Sequence, residues 1–270
     1  MSPASPCLVL EHVSRHFGGL KAVDAVNLTI QPGARHALIG PNGAGKTTLF
    51  NVMSGELPAT EGRITLFGTD VTRMAPHQRA ARGIARTFQI TKLFQNLTVV
   101  ENLLLACEAL DRRKLAMHRD VSSYADLTQR AADLADQFGL SGRTHEFARN
   151  LSYGDQRKLE VALSMAGRPR LLLLDEPMAG LSAGESRSMQ AILETLDPAI
   201  AVLLIEHDMD IAFAFAERVT VLHQGRVLTE GHKDEVSANR GVQQIYLGTV
   251  TEQVVGVDLQ VRPITHVKHR

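Results

Sequence analysis

Short apolar runs alternate along the chain with longer segments of helical periodicity. The runs at 8–13, 26–30, 35–39, 63–66, 84–89, 171–174 and 201–205 predict β-strands. Residues 171–174 are all leucine, which is typical of a strand that is buried on both faces. Further strands at 219–222 and 226–229 flank Gln224-Gly225, a sequence that favours a hairpin turn.

Helical patterns lie between these strands and fill the middle of the chain, from about 96 to 166. Segments 46–54 and 185–196 also predict helices. Thr98 is a candidate N-cap for a helix over 99–110. Leu127, Ala131, Leu134 and Phe138 form an apolar stripe on a helix over 124–138. Strands that alternate with helices predict an α/β fold with a mainly parallel sheet, and the helical middle is expected as an insertion between two halves of that sheet.

Composition narrows the class of protein. The 270 residues include 29 Lys plus Arg and 29 Asp plus Glu, so the formal net charge is zero, which argues against a general nucleic-acid binder. The longest apolar stretch, 199–205, is far shorter than the roughly 20 residues of a membrane span. No secretory signal is expected at the N-terminus. Cys7 and Cys107 are far apart and lack metal-ligand spacing, so reduced thiols are expected.

Residues 40–47, GPNGAGKT, fit the phosphate-binding pattern GxxxxGK[ST] between a predicted strand and a predicted helix. The glycines allow backbone N–H groups to surround phosphate oxygens, and the helix N-terminus adds partial positive charge. Lys46 is expected on the β- and γ-phosphates, and the Thr47 hydroxyl on Mg²⁺. The alternative is a ligand-free glycine turn, which needs no Lys-Thr at its end. The predicted nucleotide ligands here are Gly40, Pro41, Asn42, Gly43, Ala44, Gly45, Lys46, Thr47 and Thr48.

A second candidate site lies where the leucine strand ends, at Asp175-Glu176. Ligands in open α/β sheets bind at the carboxyl ends of the strands. Asp175 therefore fits the Walker-B role on Mg²⁺, either directly or through water. Glu176 is expected to orient and deprotonate the attacking water as a general base. The alternative is a pair of exposed acids at the start of a loop.

Residues 151–156, LSYGDQ, resemble the LSGGQ signature of ABC ATPases. The resemblance implies that Ser152 and Gly154, at a helix N-terminus, face the γ-phosphate held by a second subunit. Locally, Ser152 can instead cap the helix that follows it, with Asp155 three residues on. Tyr153 and Asp155 depart from the signature and make its fine geometry an open question.

Three further residues take roles that the family resemblance implies. Phe17 resembles the aromatic residue that stacks on adenine, and Gln89 resembles the Q-loop glutamine that contacts Mg²⁺ and water. His207 resembles the switch histidine on the γ-phosphate. Residues 179–182 occupy the D-loop, where relatives more often have Asn or Asp at the position of Ser182.

The same resemblance implies a fold and its organisation. The expected fold is a P-loop NTPase of the ABC ATPase type, with a RecA-like core, an antiparallel β subdomain and a helical subdomain. One ABC ATPase domain is expected over 8–248, with its core in 8–90 and 167–248 and its helical subdomain in 91–166. Residues 1–7 form an N-terminal tail and 249–270 a C-terminal extension in this division.

Several longer stretches resemble the ATP-binding subunits of branched-chain amino acid importers. These are FGGLKAV at 17–23, GPNGAGKTTLFN at 40–51, GIARTFQ at 83–89, LFQNLTVVEN at 93–102, IEHDMD at 205–210 and IYLG at 245–248. Close relatives in that branch serve urea or short amides, so the transported substrate stays open.

Membership of this branch implies an Mg²⁺-dependent ATPase with ATP as its nucleotide. The implied partners are two membrane permeases, a second ATPase subunit that is identical or related, and indirectly a periplasmic binding protein, but no nucleic acid. A permease coupling helix is expected to dock near 89–102. The expected location is the cytoplasmic face of the membrane, reached through protein contacts.

Two other classes of protein compete with this interpretation. A soluble ABC protein for DNA repair would insert a long coiled coil, and one for translation would carry tandem cassettes, and the sequence has neither. A non-hydrolysing nucleotide-binding regulator would have lost Lys46, Glu176 or His207, all of which are present.

Overall fold

The computed structural model describes residues 5–87, 93–109 and 125–246, and it contains two β-sheets with helices packed on them. Gln89, the C-terminal extension 249–270 and residues 1–4 of the N-terminal tail lie outside the described residues. Within the described ranges, no helix combines the length and the apolarity that a membrane crossing requires.

The larger sheet has six strands and supplies the framework of the fold. Its order is β10 (Arg226–His232), β9 (Arg218–His223), β3 (Arg35–Ile39), β8 (Ala201–Ile205), β7 (Leu171–Asp175) and β6 (Ile84–Arg86). All neighbours pair in parallel except the edge hairpin β9–β10, which turns at Gln224-Gly225 as predicted. The predicted α/β fold with a mainly parallel sheet is therefore confirmed. The predicted strand 84–89 is shorter, because pairing ends at Arg86.

The smaller sheet is antiparallel and has the order β2-β1-β4-β5. Its strands are β1 (Leu8–Phe17), β2 (Leu20–Ile30), β4 (Glu61–Leu66) and β5 (Thr69–Asp70). The first two strands are longer than the sequence pattern predicts, since polar side chains on their exposed face interrupt the apolar run. Bulges in the β1–β2 pairing further disturb the period-two pattern there.

The predicted helices are present near their expected positions. The helices are α1 (Lys46–Ser54), α2 (Pro76–Ala80), α3 (Val99–Ala109), α4 (Ala125–Gln137), α5 (Tyr153–Met165), α6 (Ala183–Glu194), α7 (Met209–Phe215) and α8 (Lys233–Ser237). Of these, the three short helices α2, α7 and α8 were not predicted. The predicted stripe on α4 is confirmed, because its members, together with Phe138, are buried. Thr98 lies before α3 as predicted, and its backbone N–H and its hydroxyl both donate to Glu101.

The central strands divide the core into two hydrophobic clusters. Leu171 and Leu173 of β7 belong to the cluster that contains α1 and the antiparallel sheet, whereas Leu172 and Leu174 belong to the cluster that contains α3, α4 and α5. This alternation is the period of two in a strand with both faces covered. A fully buried central strand leaves charged residues no place except its ends.

Arg79 is a buried charge that fixes the end of the phosphate-loop helix. Its side chain is 1% exposed, and its guanidinium donates to main-chain oxygens at the end of α1 and in the segment before α2. These acceptors are Val52, Met53, Thr72 and Met74, at 2.7, 2.8, 3.1 and 3.1 Å. The cation also lies at the negative end of the α1 dipole.

Replacing Arg79 with Met should lower the free energy of unfolding by about 3 kcal/mol, because buried carbonyl groups lose their donor. Urea unfolding followed by far-UV circular dichroism measures this loss. The matched control is Arg82→Met, an exposed position in the same segment, which should change stability by less than about 0.5 kcal/mol. Equal stability of the two variants would show that Arg79 does not hold α1.

Candidate nucleotide-binding site

The phosphate loop lies between β3 and α1 and is shaped by close main-chain contacts. Gly45 has a φ of 101°, and a Cβ built there would lie 2.3 Å from the Ala22 oxygen, so this position requires glycine. The Gly225 N–H donates to the Ala44 oxygen at 2.9 Å. The loop is thus held between the β1–β2 and β9–β10 hairpins.

A cavity of about 700 Å³ opens above this loop. Its lining includes the predicted residues Phe17, Asn42, Gly43, Ala44, Gly45, Lys46, Thr47, Thr48 and Glu176. Gly40, Pro41 and Asp175 are not among the lining residues. Sequence reasoning missed Leu20, Lys21, Ala22, Gln224 and Gly225, which complete the wall. The first three belong to the stretch 17–23 and the last two to the predicted hairpin turn, but only the fold places both beside the loop.

Lys46 lies at the base of the cavity, where its Nζ donates to the main-chain oxygens of Gly40 at 2.6 Å and Pro41 at 3.1 Å. Burial lowers the pKa of Lys46, and the nearby carboxylates of Glu176 and Asp175 oppose this shift. The ammonium group and the two acids at the end of β7 therefore interact electrostatically.

Phe17 ends β1 at the rim of the cavity and is 44% exposed. The guanidinium carbon of Arg15 lies 4.6 Å from the ring centroid. An exposed aromatic ring at the mouth of a nucleotide-sized cavity offers a surface on which a base can stack.

Asp175 is the last residue of β7, and its carboxylate is completely buried. Oδ2 accepts from the Arg86 guanidinium at 3.1 Å, while Oδ1 has no hydrogen-bond partner among the described residues. Burial raises the pKa of Asp175, and the charge of Arg86 opposes the rise. A buried carboxylate oxygen with no protein donor fits a hard divalent cation or its bound water.

Glu176 follows in a left-handed conformation with a φ of 47°. Its N–H donates to the Ile205 oxygen at 3.0 Å, which fixes this turn against the neighbouring strand β8. A non-glycine residue in this region is strained, and such strain is concentrated at functional sites. The turn places Glu176 in the lining of the cavity.

The residues after β8 bring a second buried acid to the same edge of the sheet. Glu206 is 1% exposed, accepts from the Met178 N–H at 3.3 Å, and has its Oε2 3.9 Å from Nδ1 of His207. Burial raises the pKa of Glu206 to about 7, and the nearby charges of Glu176 and Asp208 act in the same direction. The His207 side chain is 58% exposed and lies outside the cavity lining.

Comparison with known proteins identifies the family. The model of the ABC transporter family matches residues 23–179, more than half of the chain. The chain belongs to the ABC transporter family. The match covers the phosphate loop, the signature segment and the Asp175-Glu176 pair. The expected ABC ATPase fold is confirmed.

Individual relatives place the chain near one branch of the ABC family. LivG of Salmonella typhimurium, a high-affinity branched-chain amino acid transport ATP-binding protein, is 38% identical over 91% of this chain and 99% of its own length. BraF of Pseudomonas aeruginosa, of the same description, is 37% identical over 90% and 98%. The crystal structure of the ADP conformation of MJ1267, an ATP-binding cassette of an ABC transporter, has a TM-score of 0.81 at 30% identity, covering 90% of this chain and 99% of that one.

The ABC signature segment begins α5, away from the cavity. Ser152 caps this helix, because its Oγ accepts from the Asp155 N–H at 3.2 Å, so the local role weighed from the sequence is present. Gly154 packs against α6, where an added Cβ would lie 2.5 Å from Oε1 of Glu185.

The departures from the usual ABC motifs form contacts of their own. The Tyr153 hydroxyl donates to the Ala179 oxygen at 3.3 Å and accepts from Nε of Arg157 at 3.1 Å, which ties the signature to the D-loop of the same chain. Ser182 and Glu185 form a capping box at the start of α6. The serine in the D-loop therefore has a structural role that the sequence comparison did not suggest.

Glu206→Gln should stabilise the protein at alkaline pH. The native carboxyl group binds a proton up to about pH 7 but the unfolded one only up to its ordinary pKa near 4.5, so the wild type loses stability as the pH rises through this window. The variant avoids this loss, about 3 kcal/mol at pH 8. Urea unfolding at pH 4.5, 6 and 8 measures the difference. A stability difference that does not grow with pH would contradict a protonated Glu206.

Proposed function

We propose that this chain is the ATP-binding and ATP-hydrolysing subunit of an ABC importer that takes up branched-chain amino acids through separate permease subunits. The observation that carries the proposal is the cavity in which Lys46, Thr47 and Glu176 meet above the phosphate loop. The similarity to LivG and BraF over nine-tenths of the chain supports the importer branch.

ATP is proposed to bind along this cavity, with its base on Phe17 and its phosphates in the loop. The N–H groups of the loop and the N-terminus of α1 stabilise the phosphates, and Lys46 offsets charge on the β- and γ-phosphates. On binding, the Lys46 ammonium exchanges its main-chain acceptors Gly40 and Pro41 for phosphate oxygens. The loop itself is thus a preformed cradle.

Glu176 is proposed as the general base that accepts a proton from the attacking water. Its strained turn places Glu176 in the lining of the cavity directly after Asp175, and its charge acts to raise the pKa of Lys46. His207 is assigned to the γ-phosphate. Oε2 of the buried Glu206 lies 3.9 Å from Nδ1 of His207. Gln89 is assigned to the same reaction from the resemblance alone.

Mg²⁺ fits the donors that the site provides. Thr47 and Asp175 would hold it, with Gln89 as a further candidate, and the unpartnered Oδ1 of Asp175 supports this assignment. No cluster of three or more His, Cys, Asp or Glu suited to a metal ion occurs in the described part of the chain, which agrees with a cation held mainly by phosphates and waters. Bound there, the cation would neutralise charge on the transferred phosphoryl group.

A second ATPase subunit is proposed to complete the site. Ser152 and Gly154 lie at the N-terminus of α5, outside the lining of the cavity in their own chain. Ser152 is exposed there, whereas Gly154 is buried against Glu185 of α6. A helix N-terminus is suited to an anion. Head-to-tail pairing of two subunits would place this end of α5 on the γ-phosphate of the partner. The pairing can involve two copies of this chain or a related chain.

The permease is proposed to dock near 89–102, as the resemblance implies, and of this range the structure describes 93–102. A groove of about 310 Å³ between the core and the helical region offers a further surface for it. Ala106 and Ala109 of α3, Leu163 of α5, and Ile84 and Arg86 of β6 contribute to the lining of this groove. Helices α3, α4 and α5 pack on one another, which supports 91–166 as a helical subdomain within the ABC domain 8–248. Docking there would hold the chain at the cytoplasmic face of the membrane, with a periplasmic binding protein delivering substrate on the other side.

Glu176→Gln should retain ATP binding and lose at least about 100-fold of the ATPase rate, because the amide cannot accept the proton from water. Phosphate release and binding of a fluorescent ATP analogue measure the two quantities. Glu194→Gln is the control, an exposed acid on α6 that lies outside the lining of the cavity. Hydrolysis at the wild-type rate in Glu176→Gln would remove this residue from the base role.

Uptake by cells that depend on this subunit should identify the substrate. Cells with the wild-type chain should accumulate labelled leucine, isoleucine and valine, whereas cells with Glu176→Gln should not. Uptake of urea and acetamide should be the same in both strains. Loss of urea or acetamide uptake with unchanged leucine uptake would instead place the chain among importers of urea or short amides.

A further inference from the structure

One buried arginine connects the two elements that would hold the divalent cation. Arg86 is the last residue of β6, and its side chain is 7% exposed. Its guanidinium contacts Asp175 at the end of β7, Asn51 and Ser54 in α1, and Glu56 just beyond that helix. The distances to Asp175, Ser54 and Glu56 are 3.1, 3.2 and 3.2 Å.

The contact with Asp175 distinguishes the two oxygens of that carboxylate. Arg86 occupies Oδ2, while Oδ1 stays buried and without a hydrogen-bond partner among the described residues. A carboxylate anchored through one oxygen cannot rotate freely, so its other oxygen keeps one direction. An unpaired buried acceptor is also unfavourable unless a ligand satisfies it.

The contacts with α1 add a second restraint. Thr47 lies in the first turn of α1, and Asn51 and Ser54 lie on the same helix, so fixing these two side chains against β6 fixes the helix. Arg86 therefore bonds both to the helix that carries Thr47 and to the carboxylate of Asp175. Only a planar group with several donors can satisfy these partners together, and lysine offers a single point charge.

We propose that Arg86 is a positioning residue for the metal site: it holds Oδ2 of Asp175 and the end of α1, and so aims Oδ1 toward the cation bound with the nucleotide. This inference rests on the proposed function, because it needs a nucleotide and a cation in the cavity. Partners of metal ligands typically change metal affinity by about 10- to 100-fold when they are removed.

The experiment measures Mn²⁺ binding to the full-length protein with a non-hydrolysable ATP analogue, using the electron paramagnetic resonance signal of free Mn²⁺. Binding of the analogue in EDTA is measured separately. Arg86→Met should weaken Mn²⁺ binding by about tenfold or more while it changes binding of the metal-free nucleotide less than about twofold. Arg86→Lys should recover part of the Mn²⁺ affinity, since it keeps a charge near Asp175.

Arg82→Met is the matched control, because this exposed arginine lies four residues earlier and donates to the Gln78 oxygen. It should leave both affinities unchanged. Unaltered Mn²⁺ affinity in Arg86→Met would overturn the proposal, and so would an equal loss of both affinities, which would indicate a general role in folding.

If Arg86→Met does not fold, Arg86→Lys tests the proposal instead. An Mn²⁺ affinity of Arg86→Lys equal to that of the wild type would overturn it. A different result would contradict the proposed function. A wild-type chain that binds neither the analogue nor Mn²⁺ would contradict nucleotide binding itself, whereas normal wild-type binding with unaltered variants contradicts only the role of Arg86.

Discussion

The arrangement of the site depends on one constraint, the complete burial of the central parallel strands. Both faces of β7 and β8 are covered by apolar side chains, so these strands contain only apolar residues until β7 ends at Asp175. A charge in the middle of such a strand would have neither water nor a partner. The acids Asp175, Glu176 and Glu206 consequently collect at one edge of the sheet, beside the phosphate loop.

Three ionisable groups at that edge are buried, and each has a specific contact. Asp175 has the guanidinium of Arg86, Glu206 has the Met178 N–H, and Lys46 has carbonyl groups of its own loop. Such buried groups contribute little net stability, because the free-energy cost of removing them from water offsets much of the favourable energy of their contacts. Their placement is explained by the proposed phosphate chemistry, in which fixed charges surround a reacting group.

Many of the helices and strands were predictable, because the local sequence patterns agree with the fold. The helix over 46–54 and the strands over 35–39 and 201–205 have the predicted bounds, and the hairpin turns at the predicted Gln224-Gly225. The strand over 84–89 was predicted too long, and β1 and β2 too short, because apolar runs alone do not reveal where pairing ends or a bulge lies. Arg86 and Glu206 were missed as site residues, because the stretches that contain them assign roles only to Gln89 and His207, and their burial is decided by the fold.

The sequence by itself determined the α/β class, the phosphate loop, the acidic pair after β7 and the ABC signature, because each depends on residues that are close along the chain. Only the tertiary structure decided which distant groups meet there. Arg86 bonds to Asp175, which is 89 positions away in the sequence. Ala22 and Gly225 contact the phosphate loop through main-chain atoms, and they belong to two separate hairpins. These contacts follow from the order of the strands, which no local pattern specifies. They orient the side chains of the site.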